Sequence, residues 1–570
     1  MEGESEKSFG NDLLSKEGVP NLTHPSYQKF VEARNTLMSN ERLQRSDHEF
    51  RAALSPTAIK ASSIISNIRS EELKSTWSTS ATPSLNPEEL FPGMMFNIAK
   101  PALESTKLWK IIQKMPKGAL LHCHLGAMVD LEWVFAQAIE TEGLCISSDV
   151  PLTDDSVRDK AGIRYVYSGS AHLEQKSIWS AGYVPGSLIP TSVAADSFPE
   201  TGRKGFIAWM KDRCSVTQTE SIQHHLGVDD VWRKLNSAFS ILTGVVYYEP
   251  IMRKFLQKFF TTLVADEVRW VEFRSAPFTA FTVEKAEKAS DDPDVLLGVL
   301  NEEIEKFKSS DAGRGFWGAR MIWASLRFWP TEKIIQDMSH CIRLKKLYPD
   351  LISGYDLVGH EDPGRTLESL TPELLWFQEE CKTQAVNIPL FLHAGETVGC
   401  GTPTDQNLYT AILLRSRRLG HAFSLYKHPL LIDQCKKQNI LVESCPISNE
   451  VLRYSASIMS HPLPALISRG VKAALSNDDP ALLGQGTSGL SHDFWQAIQG
   501  WEDLGIEGLG SLAENSIRWA AFEDESEDEW NLGVEKGYES AGVRAKRMEE
   551  WKVEWESFCE WVVTEFGTGV

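Results

Sequence analysis

From about residue 117 onward, short apolar runs alternate with longer stretches of helical periodicity. The runs lie at 119–125, 269–274, 321–326, 352–358, 390–393, 419–423, 440–444 and 471–476, eight in all. Most are near-continuously apolar, as expected for parallel strands buried on both faces. Eight strand–helix units in succession predict an α/β fold, a (β/α)8 TIM-type barrel. The gap between the first and second runs is far longer than one unit needs. Its part from about 145 to 206 is rich in Ser, Gly and Pro and reads as an insertion after the first strand. Upstream, Tyr27, Phe30, Val31, Leu37 and Met38 recur at roughly helical spacing, and Ile64, Ile65 and Ile68 form a second stripe. They predict a helical N-terminal extension over 1–90, with a Ser/Thr/Pro-rich linker at 75–92. Downstream, Met548, Trp551, Trp555, Phe558 and Val562 sit three and four apart, predicting an amphipathic helix packed on the body. The acidic run EDESEDE at 523–529 reads as a solvated surface turn. The expected organisation is an extension at 1–90 and a barrel over 91–570 that carries the insert.

Composition narrows the function. A length of 570 residues suggests about four domains as a prior, but the strand pattern assigns most of it to one. Lys plus Arg is 58 and Asp plus Glu is 78, a net charge of −20, which disfavours nucleic acid and anionic membrane as partners. No stretch approaches 18 apolar residues, the length a membrane helix needs. The N-terminal MEGESEKSFG lacks the basic and apolar regions of a secretory signal. Nine scattered cysteines without a CxxC pair fit reduced thiols. The expectation is a cytoplasmic protein.

Chemistry collects at the ends of the predicted strands. His122-Cys123-His124 closes the first, and alternation sends both imidazoles to one side. His393-Ala394-Gly395-Glu396 ends the fifth, His421 the sixth, and Ser476-Asn477-Asp478-Asp479-Pro480 follows the eighth. Singly, each has a plain structural explanation: a core histidine, a helix-capping acid, an Asx turn. Together they fall on the face where barrel enzymes build their sites. Three histidines and a carboxylate suit zinc with room for water, and a nearby Glu suits proton transfer.

The ordered phrases MPKGALLHCH, GYDLVGHEDPG, FLHAGET, RLGHAFSL, ESCPISN and SNDDPA resemble the adenosine deaminase superfamily, specifically its adenosine deaminase-related growth factor branch. The resemblance runs from about residue 90 to the C-terminus. It implies one Zn²⁺ per chain, held by His122, His124, His393 and Asp478. It implies that Glu396 protonates purine N1, that His421 orients the attacking hydroxide and helps its deprotonation, and that Asp479 bonds the attacking oxygen or purine N7. Gly359 would offer its N–H to purine N3, and Trp232 would line the nucleoside pocket. The implied reaction is hydrolytic deamination of adenosine and 2′-deoxyadenosine to inosine and ammonia. The branch dimerises through its helical N-terminus, which implies a homodimer, and is a secreted one, which sets an alternative to cytoplasmic localisation. The insertion lies where relatives carry an insert proposed to bind receptors, so a growth-factor-like binding protein is a second reading. A third is another metal-dependent amidohydrolase.

Two departures concern the sugar end. Many relatives have an Asp after the HxH motif that contacts the ribose 5′-hydroxyl; Leu125 stands here. The branch often has a His before the Arg that ends the third strand; Leu326 stands here, before Arg327. A lost carboxylate removes repulsion toward a 5′-phosphate. This sets a further expectation: deamination of 5′-modified adenosines such as AMP, with Arg327 as the phosphate partner.

Overall fold

A computed structural model describes residues 16–77, 90–170, 176–199, 201–277 and 281–567. The eight apolar runs are all strands: β1 (Gly118–His124), β5 (Val268–Ser275), β6 (Gly318–Leu326), β7 (Ile352–Val358), β8 (Phe391–Ala394), β9 (Arg418–His421), β10 (Leu441–Ser444) and β11 (Ala473–Leu475). They pair in parallel as β1-β5-β6-β7 and β11-β10-β9-β8. Single parallel bridges join the two sheets at both seams, Tyr355 to Leu390 and Cys123 to Asp478. Helices separate successive strands from β5 to β11. This parallel α/β topology fits a TIM-type barrel.

The alternation of each strand sorts its side chains. Ala119, Leu121, Trp270, Ile322, Phe391, Leu441 and Ala474 form a cluster of their own with Trp519 at one end of the strands. The opposite faces of the strands pack against the helices in the main core. The chain reaches the site through the C-terminal ends of the strands.

Between β1 and β5 the inserted segment is folded. It holds β2 (Leu144–Ser148), β3 (Ile163–Tyr167) and β4 (Ile189–Pro190), an antiparallel sheet of order β3-β2-β4. Helices Thr191–Asp196 and Gly202–Cys214 follow, then the long helices Val228–Val246 and Glu249–Ala265.

The N-terminal extension divides. Helix Pro56–Ser75 buries Ile64, Ile65 and Ile68 and packs on the C-terminal helix Val543–Phe566. That helix buries Met548, Trp551, Trp555, Phe558 and Val562, as its spacing predicts. Helix Pro25–Arg42 forms as expected but buries none of its residues; Phe30 is 63% and Leu37 70% exposed. Most of the expected 75–92 linker, and the start of the extension, lie outside the described residues.

The acidic run is more than a solvated turn. Asp524 joins Arg320 (2.7 Å) and Lys345 (2.7 Å), and Glu525 pairs with Arg544. Ser526 and Glu529 then form a capping box that starts helix Glu527–Lys536. All nine cysteines are free, and all but Cys400 are buried. No described helix is long and apolar enough to cross a membrane.

Candidate active site

The strand ends bring His122, His124, His393 and Asp478 together. One ligand atom from each lies within 4.8 Å of all the others. Asp478 Oδ1 is 3.4 Å from His122 Nε2 and 3.2 Å from His124 Nε2. The His122 and His393 rings lie 4.5 Å apart and cross at 65°. His122 Nε2 is buried without a hydrogen-bond partner. Three imidazole nitrogens and a carboxylate, with an orphaned nitrogen aimed at the centre, fit a divalent cation of borderline softness.

Local backbone builds this convergence. Asp478 has φ +59°, and His421 has φ +60° with Ala422 at +43° behind it. Such left-handed conformations are costly for side-chain-bearing residues and are held by their surroundings. Gly420 is required by close approach: a Cβ there would lie 2.9 Å from His122 Cε1. Gly359, at φ +101° after β7, keeps its backbone bare at the cavity wall.

The ligand set rests on buried charges. His122 Nδ1 bonds Glu443 at 2.8 Å, and His393 Nδ1 bonds Asp356 at 2.7 Å. A single guanidinium joins the two carboxylates: Arg274 donates to Asp356 at 2.7 Å and to Glu443 at 2.6 Å, all three side chains being wholly buried. Arg418 in turn holds Glu443 (2.5 Å) and Glu272 (2.8 Å). Sequence reasoning missed these residues. Their only signal is a charge placed inside an otherwise apolar strand. Burial alone would raise Asp356, but His393 and Arg274 hold it well below the usual carboxylate range. Burial pushes the His393 imidazole down to about 3, so it is neutral and free to act as a ligand.

Glu396 and Asp479 behave differently. Burial, reinforced by the charges of Asp478, Glu361 and Asp479, lifts Glu396 well above the ordinary carboxylate range. Burial and Asp478 do the same to Asp479. Burial also raises Asp478, yet the nearby imidazoles of His122, His124 and His421 outweigh it and hold the group low. Burial and mutual repulsion thus push these neighbouring carboxyls apart, Asp478 down and Glu396 and Asp479 up. Glu361, another residue the sequence reading passed over, receives the Gly395 N–H (3.2 Å) and the Asn407 amide (2.9 Å), and so anchors the turn that carries Glu396.

These groups line one cavity of about 550 Å³, together with Gly359, Trp232, Leu125, Leu326 and Phe328. Trp232 stacks on His360 (4.7 Å, 4°), and its Nε1–H donates to Tyr454 (2.9 Å). Arg327 is not brought to the cavity. It is fully buried, and Nη2 donates to the carbonyls of Leu357 (3.0 Å) and His393 (3.3 Å). Leu326 ends β6 facing the cavity, while the Arg327 guanidinium, past the strand end, lies beneath the site, held by those carbonyls and 3.7 Å from Glu361.

The adenosine deaminase family profile matches residues 212–536, more than half of the chain. The chain is 28% identical over 447 residues to adenosine deaminase 2-A of Danio rerio, covering 77% of this chain and 82% of that protein. It is 26% identical over 476 residues to adenosine deaminase 2 of Homo sapiens, covering 83% and 84%. Among solved structures, a zinc-bound amidohydrolase from Burkhoderia ambifaria shares the fold at 16% identity and TM-score 0.50, covering 82% of this chain and all of that one. The chain belongs to the adenosine deaminase family, in its growth-factor-related branch, and is a hydrolytic deaminase.

Proposed function

We propose that this chain deaminates adenosine and 2′-deoxyadenosine to inosine and 2′-deoxyinosine, releasing ammonia, with one zinc ion held by His122, His124, His393 and Asp478. The two sheets are read as one closed eight-stranded barrel. The observation that carries the proposal is the meeting of that ligand set with the Glu396 carboxyl, His124, His393, Asp478 and Glu396 all lining one cavity.

Zinc bound there supplies the Lewis acidity that makes water nucleophilic at neutral pH. The side chains do the rest. Asp478, kept anionic, balances the cation's charge. Glu396, whose burial pushes its carboxyl well above the usual range, donates to purine N1 and so draws electrons from C6, where water adds. Asp479, raised likewise by burial and by Asp478, meets purine N7. His421 orients the attacking oxygen, its Nε2 standing 3.9 Å from Asp478. Gly359 N–H meets N3, and Trp232 covers the base. Water gives up two protons: one restores Glu396, which has passed its own to N1, and the other goes to the C6 amine, so that the C6–N bond breaks, ammonia leaves and the ring keeps C6=O and N1–H.

The sugar end favours a neutral nucleoside over AMP. Leu125 and Leu326 face the cavity, and Arg274, a guanidinium in its lining, is committed to Asp356 and Glu443. Arg327 is turned away. The exposed stripe of helix Pro25–Arg42 is assigned to a homodimer contact. Metal analysis and a rate panel of adenosine, 2′-deoxyadenosine, AMP and adenine test the proposal. One zinc per chain with preferred turnover of the two nucleosides is expected. Absence of zinc and of turnover of every adenine compound overturns it and favours a binding protein.

A further inference from the structure

Behind the cavity floor runs a chain of buried hydrogen bonds with a fixed direction. It starts at the Leu463 backbone N–H, which donates to His461 Nδ1 at 3.1 Å. A backbone N–H only donates, so Nδ1 of His461 carries no proton, and its single proton sits on Nε2. His461 Nε2 lies 3.1 Å from Asn449 Oδ1 and donates to it. That contact fixes the orientation of the Asn449 amide, whose Nδ2 faces His421 Nδ1 at 3.3 Å and donates in turn. Reversing the amide would set two donors against each other at His461. His421 Nδ1 is therefore an acceptor, and a neutral His421 carries its proton on Nε2.

We infer that Asn449 and His461 are positioning residues that hold His421 as a hydrogen-bond donor, not a base, toward the attacking oxygen. Nε2 faces the floor, with Asp478 Oδ2 at 3.9 Å. The Nε2–H meets the oxygen on which negative charge grows as it bonds to C6, and stabilises it without reorganisation. Because Nε2 is occupied, the protons of the attacking water go instead to the Glu396 carboxylate, once it has protonated N1, and to the departing amine. Neither Asn449 nor His461 lines the cavity, and both are buried, at 1% and 7% exposure. Their effect reaches substrate only through His421.

The inference rests on the deaminase reading, so its test includes a measurement that needs no turnover. In the zinc-loaded enzyme labelled with ¹⁵N-histidine, with His421 assigned by its loss in His421→Gln, the Nδ1 signal of His421 is expected in the unprotonated range and Nε2 in the protonated range. A protonated Nδ1 overturns the inference even if the enzyme is fully active. Asn449→Asp keeps the shape but replaces the donor by an acceptor. Its kcat for adenosine is expected to fall at least about 10²-fold, the usual cost of one lost transition-state donor, with KM and zinc content within about twofold of wild type. His461→Gln, which keeps an N–H for Asn449 Oδ1, is expected to retain activity within about fivefold, while His461→Met is not. Equal kcat for Asn449→Asp and wild type overturns the role. Inactivity of wild type with a correct tautomer signal counts instead against the proposed substrate.

Discussion

Replacing Arg274 by Met tests whether the metal ligands depend on one guanidinium. Arg274 is wholly buried and makes contacts of 2.7 Å to Asp356 and 2.6 Å to Glu443, besides donating to the Leu121 carbonyl at 3.0 Å. Deleting one partner of a buried ion pair costs about 3–5 kcal/mol. The lower end applies here. Asp356 keeps the N–H groups of His393 and Leu357, and Glu443 keeps Arg418 and His122. A loss of about 3 kcal/mol in unfolding free energy is therefore expected, read from urea melts.

The same change should weaken zinc. Partners of metal-binding histidines typically contribute about 10–100-fold in affinity. Arg274→Met leaves those partners in place but removes the charge that holds both ionised, so a loss of about tenfold is expected by competition with a chelator. Arg274→Lys, which provides one ammonium for two carboxylates, should fall between. Wild-type zinc affinity in Arg274→Met, with a melting transition unchanged within error, would refute the reasoning, whatever happened to activity.

Other outcomes are expected. Glu396→Gln should keep one zinc per chain and lose at least about 10²-fold in kcat, since an amide cannot give N1 its proton; measured rates within tenfold of wild type would remove its assigned role. 5′-Deoxyadenosine should be deaminated with kcat/KM within about threefold of adenosine, because Leu125 and Leu326 offer the 5′-hydroxyl no hydrogen bond, whereas a site built to bond it would discriminate by orders of magnitude. Stability should decline as pH rises from about 7 to 8, above the unfolded-state titration of His393 and His461, whose neutral buried forms act in the opposite sense at lower pH. Burial raises Glu450 and Asp493 to about 8 in the folded state, so each contributes stability fully present below its unfolded pKa and lost as pH rises through the folded value. Glu450→Gln should flatten that decline in melting temperature, and an unchanged slope would show that Glu450 does not titrate as described.

The strands were legible because parallel strands buried on both faces write unbroken apolar runs, and the site was legible because its groups sit where those runs stop. What the sequence hides is contact across the ring. Glu443 on β10, Asp356 on β7 and Arg274 on β5 come from three separate stretches, and nothing in any one of them says that they meet. The acidic run shows the same limit, since Asp524 finds Arg320 and Lys345 only once β6 and its helix are in place. Arg327 shows how a local rule corrects a motif-based expectation. Ser325 bonds Asp337 on the helix after β6, so its side chain faces outward and Leu326 must then face the cavity. Arg327, in the turn beyond the strand, is instead drawn to the carbonyls of Leu357 and His393. The departures at Leu125 and Leu326 therefore act together: both place an aliphatic side chain on the cavity side, with no cation behind it to reach past. Under the proposed reading neither leucine offers a 5′-phosphate a charge, so burying the dianion against them carries its desolvation cost uncompensated.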